Sequence, residues 1–266
     1  MSIASQPIGI FDSGIGGLTV ARSIRNLMPE ERFIYFGDTA HMPYGDKSQE
    51  LIQSYALRIT DFLLNEKECK AIVIACNTAS AAAYEVLRDQ HKGSIPVINV
   101  IDPMVEHVIA DDSIKHLGII ATKTTVSSGV YQEKLARRKP SLRFSVMATP
   151  LLAPMIEEGF FNDDVSEAVI TKYLSREDLK GIDSLVLACT HYPMIKTGIS
   201  KFFEDSIKIL DSGEVVAAKL KMILEKEGLA CEKKMGDDLF YVSDFTESFQ
   251  KIAKMFFGTG IQLTSQ

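Results

Sequence analysis

The stretch Ala71-Ile72-Val73-Ile74-Ala75-Cys76-Asn77-Thr78 decides the reading of this chain, because its pattern returns as Ser184-Leu185-Val186-Leu187-Ala188-Cys189-Thr190-His191. Each is a short, continuous apolar run that ends on a cysteine and then turns polar. A run apolar at every residue fits a strand buried on both faces, as in a parallel sheet covered by helices. Outward from the first stretch, Ile8–Phe11 ends at Asp12-Ser13-Gly14, Phe33–Phe36 at Gly37-Asp38, and Val97–Ile101 at Asp102-Pro103. Amphipathic helix patterns separate these runs at Leu18–Leu27, Gln49–Leu64 and Ala79–Gln90. The second half replays the rhythm. Leu117–Ala121 ends at Thr122, Phe144–Met147 at Ala148-Thr149, Ser184–Ala188 at Cys189, and Ile207–Leu210 at Asp211-Ser212-Gly213. Matched strand ends recur about 110 residues apart, a domain-sized period rather than that of a solenoid. The expected fold class is therefore α/β: two similar α/β domains with mainly parallel central sheets, related by internal duplication. Leu239–Gln266 breaks the symmetry and reads as a strand plus a helix added to one half.

In parallel α/β units the carboxyl ends of the strands carry the ligand site. Two such halves facing each other place Cys76 and Cys189 on opposite walls of a cleft. A lone buried cysteine is more often inert packing. Two at equivalent strand ends of a repeat are hard to explain that way. Cys76 also precedes the start of a helix, where the positive dipole end favours a thiolate. Cys69 and Cys231 lack this setting and read as non-functional. Inverting a carbon that bears a weakly acidic hydrogen needs a base on one face and an acid on the other, and paired thiols can exchange those roles.

Other residues position a substrate. Asp12-Ser13-Gly14-Ile15-Gly16-Gly17 is a glycine-rich strand-to-helix turn that reads as an anion cradle of backbone N–H groups. It matches neither the dinucleotide nor the P-loop fingerprint. Pro43-Tyr44-Gly45 offers an aromatic hydroxyl in a turn, and Thr122, Thr124 and Thr125 occupy the strand end matching Asp12. His191, two residues past Cys189, is placed to assist thiol ionisation or to hydrogen-bond a substrate. Glu157 and Glu158, taken alone, read as a solvated helix face. None of these motifs carries Arg or Lys, so a carboxylate is expected to be held by hydroxyls, amides and N–H groups.

The 266 residues are 46% hydrophobic and 24% charged, as in an ordinary globular chain. A net charge of −6 argues against a general nucleic-acid binder. No apolar run approaches the roughly 20 residues of a membrane span. Met1–Pro7 lacks the basic and apolar segments of a signal peptide. The four cysteines show no C-x-x-C spacing, so they read as cytosolic free thiols. No metal site and no cofactor is expected.

Together, Phe11-Asp12-Ser13-Gly14-Ile15-Gly16-Gly17, Pro43-Tyr44-Gly45, Ala75-Cys76-Asn77-Thr78-Ala79 and Cys189-Thr190-His191-Tyr192-Pro193 resemble the glutamate racemase family. The resemblance implies cofactor-independent interconversion of L- and D-glutamate, supplying D-glutamate for peptidoglycan synthesis in a bacterial cytoplasm. It implies that Cys76 and Cys189 are the proton donors and acceptors, with Asp12, His191 and Glu157 as further catalytic groups. Asp12, Ser13, Tyr44, Gly45, Asn77, Thr78, Thr190 and His191 are then the glutamate-binding residues. It also implies an active site between two domains, with the chain crossing twice: residues 1–97 plus 211–266, and residues 98–210. A small-molecule substrate is the expected partner, with neither nucleic acid nor membrane, and a homodimer is the candidate assembly. The rival readings are an aspartate or hydantoin racemase of the same superfamily, and a non-catalytic two-lobed module that binds a small acid.

Overall fold

The computed structural model describes residues 2–266. Its frame starts with β1 (Ile8–Asp12), a strand buried at every residue because apolar side chains point to both faces. It pairs in parallel with β2 (Phe33–Gly37) on one side and with β3 (Ala71–Ile74) on the other. β4 (Val97–Asn99) pairs in parallel with β3. The second sheet repeats this with β5 (His116–Ala121) at its centre, flanked by β6 (Arg143–Ala148) and β7 (Ser184–Ala188), and with β8 (Lys208–Asp211) beside β7. Reading across, the strands run 2-1-3-4 in the first half and 6-5-7-8 in the second. This is the same order with matched members, as duplication requires.

The chain then returns. β9 (Leu239–Val242) adds in parallel to β2, and β10 (Leu263–Ser265) adds in parallel to β9, making the first sheet six-stranded. The tail is therefore strand, helix and strand, not the single strand and helix expected. Leu263 is the one buried residue of β10, too little for an apolar pattern to reveal. β4 belongs to the first sheet, and β8, ending at Asp211, to the second.

Eleven α-helices cover the sheets among the described residues: α1 (Leu18–Leu27), α2 (Gln49–Asp61), α3 (Asn77–Gln90), α4 (Ile101–Ala110), α5 (Lys123–Ser127), α6 (Val130–Arg138), α7 (Leu152–Glu157), α8 (Asp164–Leu174), α9 (Lys196–Phe202), α10 (Ser212–Lys226) and α11 (Glu247–Phe257). Two expected boundaries shift for local reasons. The pattern Gln49–Leu64 is not one α-helix. It widens into a π turn over Phe62–Glu66, whose carbonyl at Phe62 accepts from Lys67 N–H. The run Val97–Ile101 stops early because Asn99 Oδ1 accepts from the N–H groups of Ile101 and Asp102 at 2.7 and 2.8 Å, which starts α4. One apolar cluster runs through both halves, from Ile10, Leu18 and Ile24 to Leu117, Val186 and Leu220. Each such aliphatic side chain contributes about 1.5–3 kcal/mol on burial, so this shared cluster stabilises the packing of the two halves. No helix among the described residues is long and apolar enough to cross a membrane.

Candidate functional site

Backbone pairing continues just past the strand ends and fixes the residues that follow. Ala75 N–H donates to Phe11 C=O at 2.8 Å, which aims Cys76 at the cleft. Asp38 N–H donates to Asp12 C=O at 3.0 Å in the first half, and Thr149 N–H donates to Ala121 C=O at 2.8 Å in the second. These are equivalent bonds in the two repeats. The ends of β1, β3, β5, β6 and β7 meet around one cavity of about 70 Å³. One water needs about 10–15 Å³ on this measure. The cavity therefore suits a handful of waters or a small molecule, not a nucleotide or a polymer.

Both Cys76 and Cys189 line this cavity. So do Ser13, Tyr44, Gly45, Asn77, Thr78, Glu157, Thr190 and His191, all candidates from the sequence. All four cysteines are free thiols, and neither Cys69 nor Cys231 reaches the cavity wall.

The two thiols have different surroundings. Cys76 caps α3: its sulfur accepts from Ala79 N–H at 3.4 Å and donates to Ser13 Oγ at 3.6 Å. Burial and the nearby Asp12 charge nevertheless push this thiol up to about 12, outweighing the two hydrogen bonds that favour thiolate. The helix start favours a thiolate at Cys76, as its spacing predicts, but burial and Asp12 favour the neutral thiol more strongly. Cys189 Sγ lies 3.7 Å from His191 Nδ1. The other ring nitrogen, Nε2, is 2.8 Å from Glu157 Oε1, an ion-pair distance without hydrogen-bond alignment. Burial disfavours a charged His191, but Cys189 and Glu157 together hold its pKa well above the ordinary value. Glu157 is thus drawn inward by His191, while Glu158 stays exposed as a lone helical glutamate should.

Asp12 differs from expectation. It is fully buried and does not line the cavity. Its own carboxylate fills the glycine cradle: Oδ2 accepts from Gly14 N–H at 3.0 Å, and Gly17 N–H also donates to it. The turn therefore binds an anion of this chain rather than a ligand. Its glycines permit close packing, since a Cβ on Gly16 would lie 2.5 Å from the His191 ring. Burial raises the Asp12 pKa, and His191 and the turn N–H groups oppose that rise.

Sequence reasoning passed over Tyr192, Thr149 and Lys123, which also line the cavity. Tyr192 was within reach, since it belongs to the motif after Cys189. Its hydroxyl meets Thr149 Oγ1 at 2.8 Å. Lys123 sits at the rim with Nζ 3.3 Å from Asp46 Oδ1, both side chains largely exposed. Thr122 and Thr78, from opposite halves, share a hydroxyl contact of 2.9 Å, and Thr124 donates to Gly45 C=O at 2.7 Å.

A duplicated parallel α/β frame, with a small, mainly apolar cavity carrying polar groups where the strand ends of both halves meet, defines a two-lobed enzyme for a small molecule. Residues 18–220 match the family model described as Asp/Glu/Hydantoin racemase. The glutamate racemase of Neisseria meningitidis is 41% identical over 254 residues, covering 95% of this chain and 93% of that protein. The crystal structure of the Francisella tularensis glutamate racemase in complex with D-glutamate superposes with a TM-score of 0.91 at 38% identity, covering 99% of this chain and 98% of that one. A glutamate racemase isoform from Bacillus anthracis gives 0.92 at 33% identity, covering 98% and 97%. The chain belongs to the Asp/Glu/Hydantoin racemase family, and it is an isomerase.

Proposed function

We propose that this protein interconverts L- and D-glutamate by passing the Cα proton between Cys76 and Cys189, with no added cofactor. The observation that carries the reading is the pair of thiols at equivalent strand ends of the two repeats, both on the wall of one small cavity. The substrate lies with Cα between them. A thiolate on one wall takes the proton, and the C–H electron pair passes into the adjoining carboxylate. The opposite thiol then delivers its proton to the other face of Cα. One sulfur gains a proton, the other loses one, and the configuration is inverted. The reverse reaction exchanges the roles.

The ligand-free protein is set asymmetrically for the first step. Cys76, whose burial favours the neutral thiol, is the acid in this direction. Cys189 is the base, with His191 placed to hold the proton that leaves its sulfur and Glu157 placed against the resulting imidazolium. Asp12 acts from behind the wall, through its contact with Thr190 and its charge on Cys76 and His191. Ser13, Tyr44, Asn77, Thr78 and Thr190 supply polar groups for the substrate. D-Glutamate made this way serves peptidoglycan synthesis in the cytoplasm.

Circular dichroism of glutamate tests the reading, using protein dialysed against chelator with no pyridoxal phosphate added. The signal of either enantiomer is expected to decay to zero, while aspartate keeps its signal. A glutamate signal that persists despite measurable glutamate binding would instead support a binding module. Preferential racemisation of aspartate would support the aspartate reading.

A further inference from the structure

Asn77 and Tyr131 come from opposite halves. Asn77 is the first residue of α3, 2% exposed and on the cavity wall. Tyr131 lies on α6, is 1% exposed, and does not line the cavity. The Tyr131 hydroxyl donates to Asn77 Oδ1 at 2.9 Å. Asn77 Nδ2 is buried and has no hydrogen-bond partner among the described residues.

The two ends of an amide are chemically opposite, one accepting and the other donating, and the network decides which faces where. Asn77 Oδ1 is the hydrogen-bond partner of Tyr131 among the described residues. Turning the amide over would leave the buried Tyr131 O–H without an acceptor. It would also place an acceptor where the unpartnered donor now lies, and an anionic substrate would find no N–H there. Burial and the Asp102 charge raise the Tyr131 pKa, so the phenol keeps the proton it donates.

We propose that Tyr131 is a positioning residue for the racemase reaction: by donating to Asn77 Oδ1 across the two halves, it presents Asn77 Nδ2 to a substrate carboxylate. The inference rests on the reading of the cavity as a glutamate site. It also gives the second half a role in binding at a residue of the first, since docking of α6 sets the polarity of a group beside Cys76. A buried N–H is costly to leave unpaired, so Nδ2 favours a ligand that accepts.

The test is Tyr131→Phe, which keeps the ring and removes the donor. Its KM for glutamate is expected to rise about tenfold, as for one lost charge-assisted contact, with kcat within about twofold. In the Asn77→Ala background, Tyr131→Phe should change KM no further. A purely structural role would lower kcat and melting temperature together and would act equally in both backgrounds. An unchanged KM in Tyr131→Phe, or the same rise in the Asn77→Ala background, overturns the proposal. A second measurement needs no variant at Tyr131. The Asn77 side-chain N–H resonances of ¹⁵N-labelled wild-type protein, assigned by their loss in Asn77→Ala, should shift on adding D-glutamate. Absence of a shift while other cavity resonances move also overturns it. Wild-type protein that neither binds nor racemises glutamate would instead overturn the functional reading.

Discussion

Thr190 Oγ1 donates to Asp12 Oδ1 at 3.4 Å, tying the residue after the second cysteine to the strand end beside the first. Thr19, on α1, holds the same residue by donating to Thr190 C=O at 3.1 Å. Thr190 therefore faces the cavity while being fixed from behind. Thr190→Val keeps the shape and removes the hydroxyl. With its O–H held by Asp12, Thr190 Oγ1 is free to accept from the substrate ammonium; a lost hydrogen bond to a charged partner is worth roughly 1.5–3 kcal/mol, so KM for glutamate should rise about tenfold or more. Steady-state kinetics in both directions check this.

Gly16 leaves room for the His191 ring, and a methyl group there would press on Cε1 and Nδ1 at 2.5 Å and on Thr190 Oγ1 at 2.6 Å. Gly16→Ala must displace the ring from Cys189. A misplacement on the order of 1 Å costs about 10²-fold in rate, so kcat should fall by about that factor while circular dichroism of the backbone stays unchanged. Wild-type kcat in Gly16→Ala would show that the His191 position is immaterial.

The raised pKa of His191 has a consequence for stability. A group whose folded pKa exceeds its unfolded value contributes stability that is complete below the unfolded value and is lost as pH rises through the folded one. The ordinary histidine value is 6.5 and the folded value lies well above it. The urea stability gap between wild type and His191→Asn should therefore be largest near pH 6 and shrink as pH rises above 6.5. Glu157→Gln should lower the His191 pKa and move that loss to lower pH. NMR titration of the His191 ring follows both, and a gap independent of pH would contradict the assignment.

Thiol reactivity separates Cys231 from Cys69 and Cys76. Burial pushes Cys69 and Cys76 each up to about 12, whereas Cys231 is only half-buried. Iodoacetamide near pH 8 should label Cys231 before Cys69 and Cys76 in the ligand-free protein. Because the thiolate is the reacting form, Cys69 and Cys76 should be slower by at least about 10²-fold. Peptide mapping by mass spectrometry reads this out, and labelling of Cys76 as fast as Cys231 would mean its proton is not held.

The two cysteine strand ends were legible because continuous apolar runs mark buried parallel strands, and repetition at one period marks equivalence. The rest depended on partners distant in sequence. Nothing local shows that Glu157 turns inward, because the reason is His191 on another element. The glycine turn displays its capacity for an anion but not which carboxylate fills it, and Asp12 supplies that carboxylate itself. Tyr131 reads as one buried residue on a largely polar helix, and only the folded chain brings it to Asn77. β10 escaped because a three-residue strand with two exposed positions has no periodicity to detect.

The central claim is that separate groups on opposite walls remove and deliver the proton. Racemisation of L-glutamate in D₂O, sampled in the first few per cent of conversion, tests it most directly. Mass spectrometry should find one deuterium at Cα of the D-glutamate formed and essentially none in the L-glutamate remaining, because the delivering thiol carries a solvent-derived deuteron. D-Glutamate that retains the original protium would contradict the account, since a single base returning the same proton would then suffice.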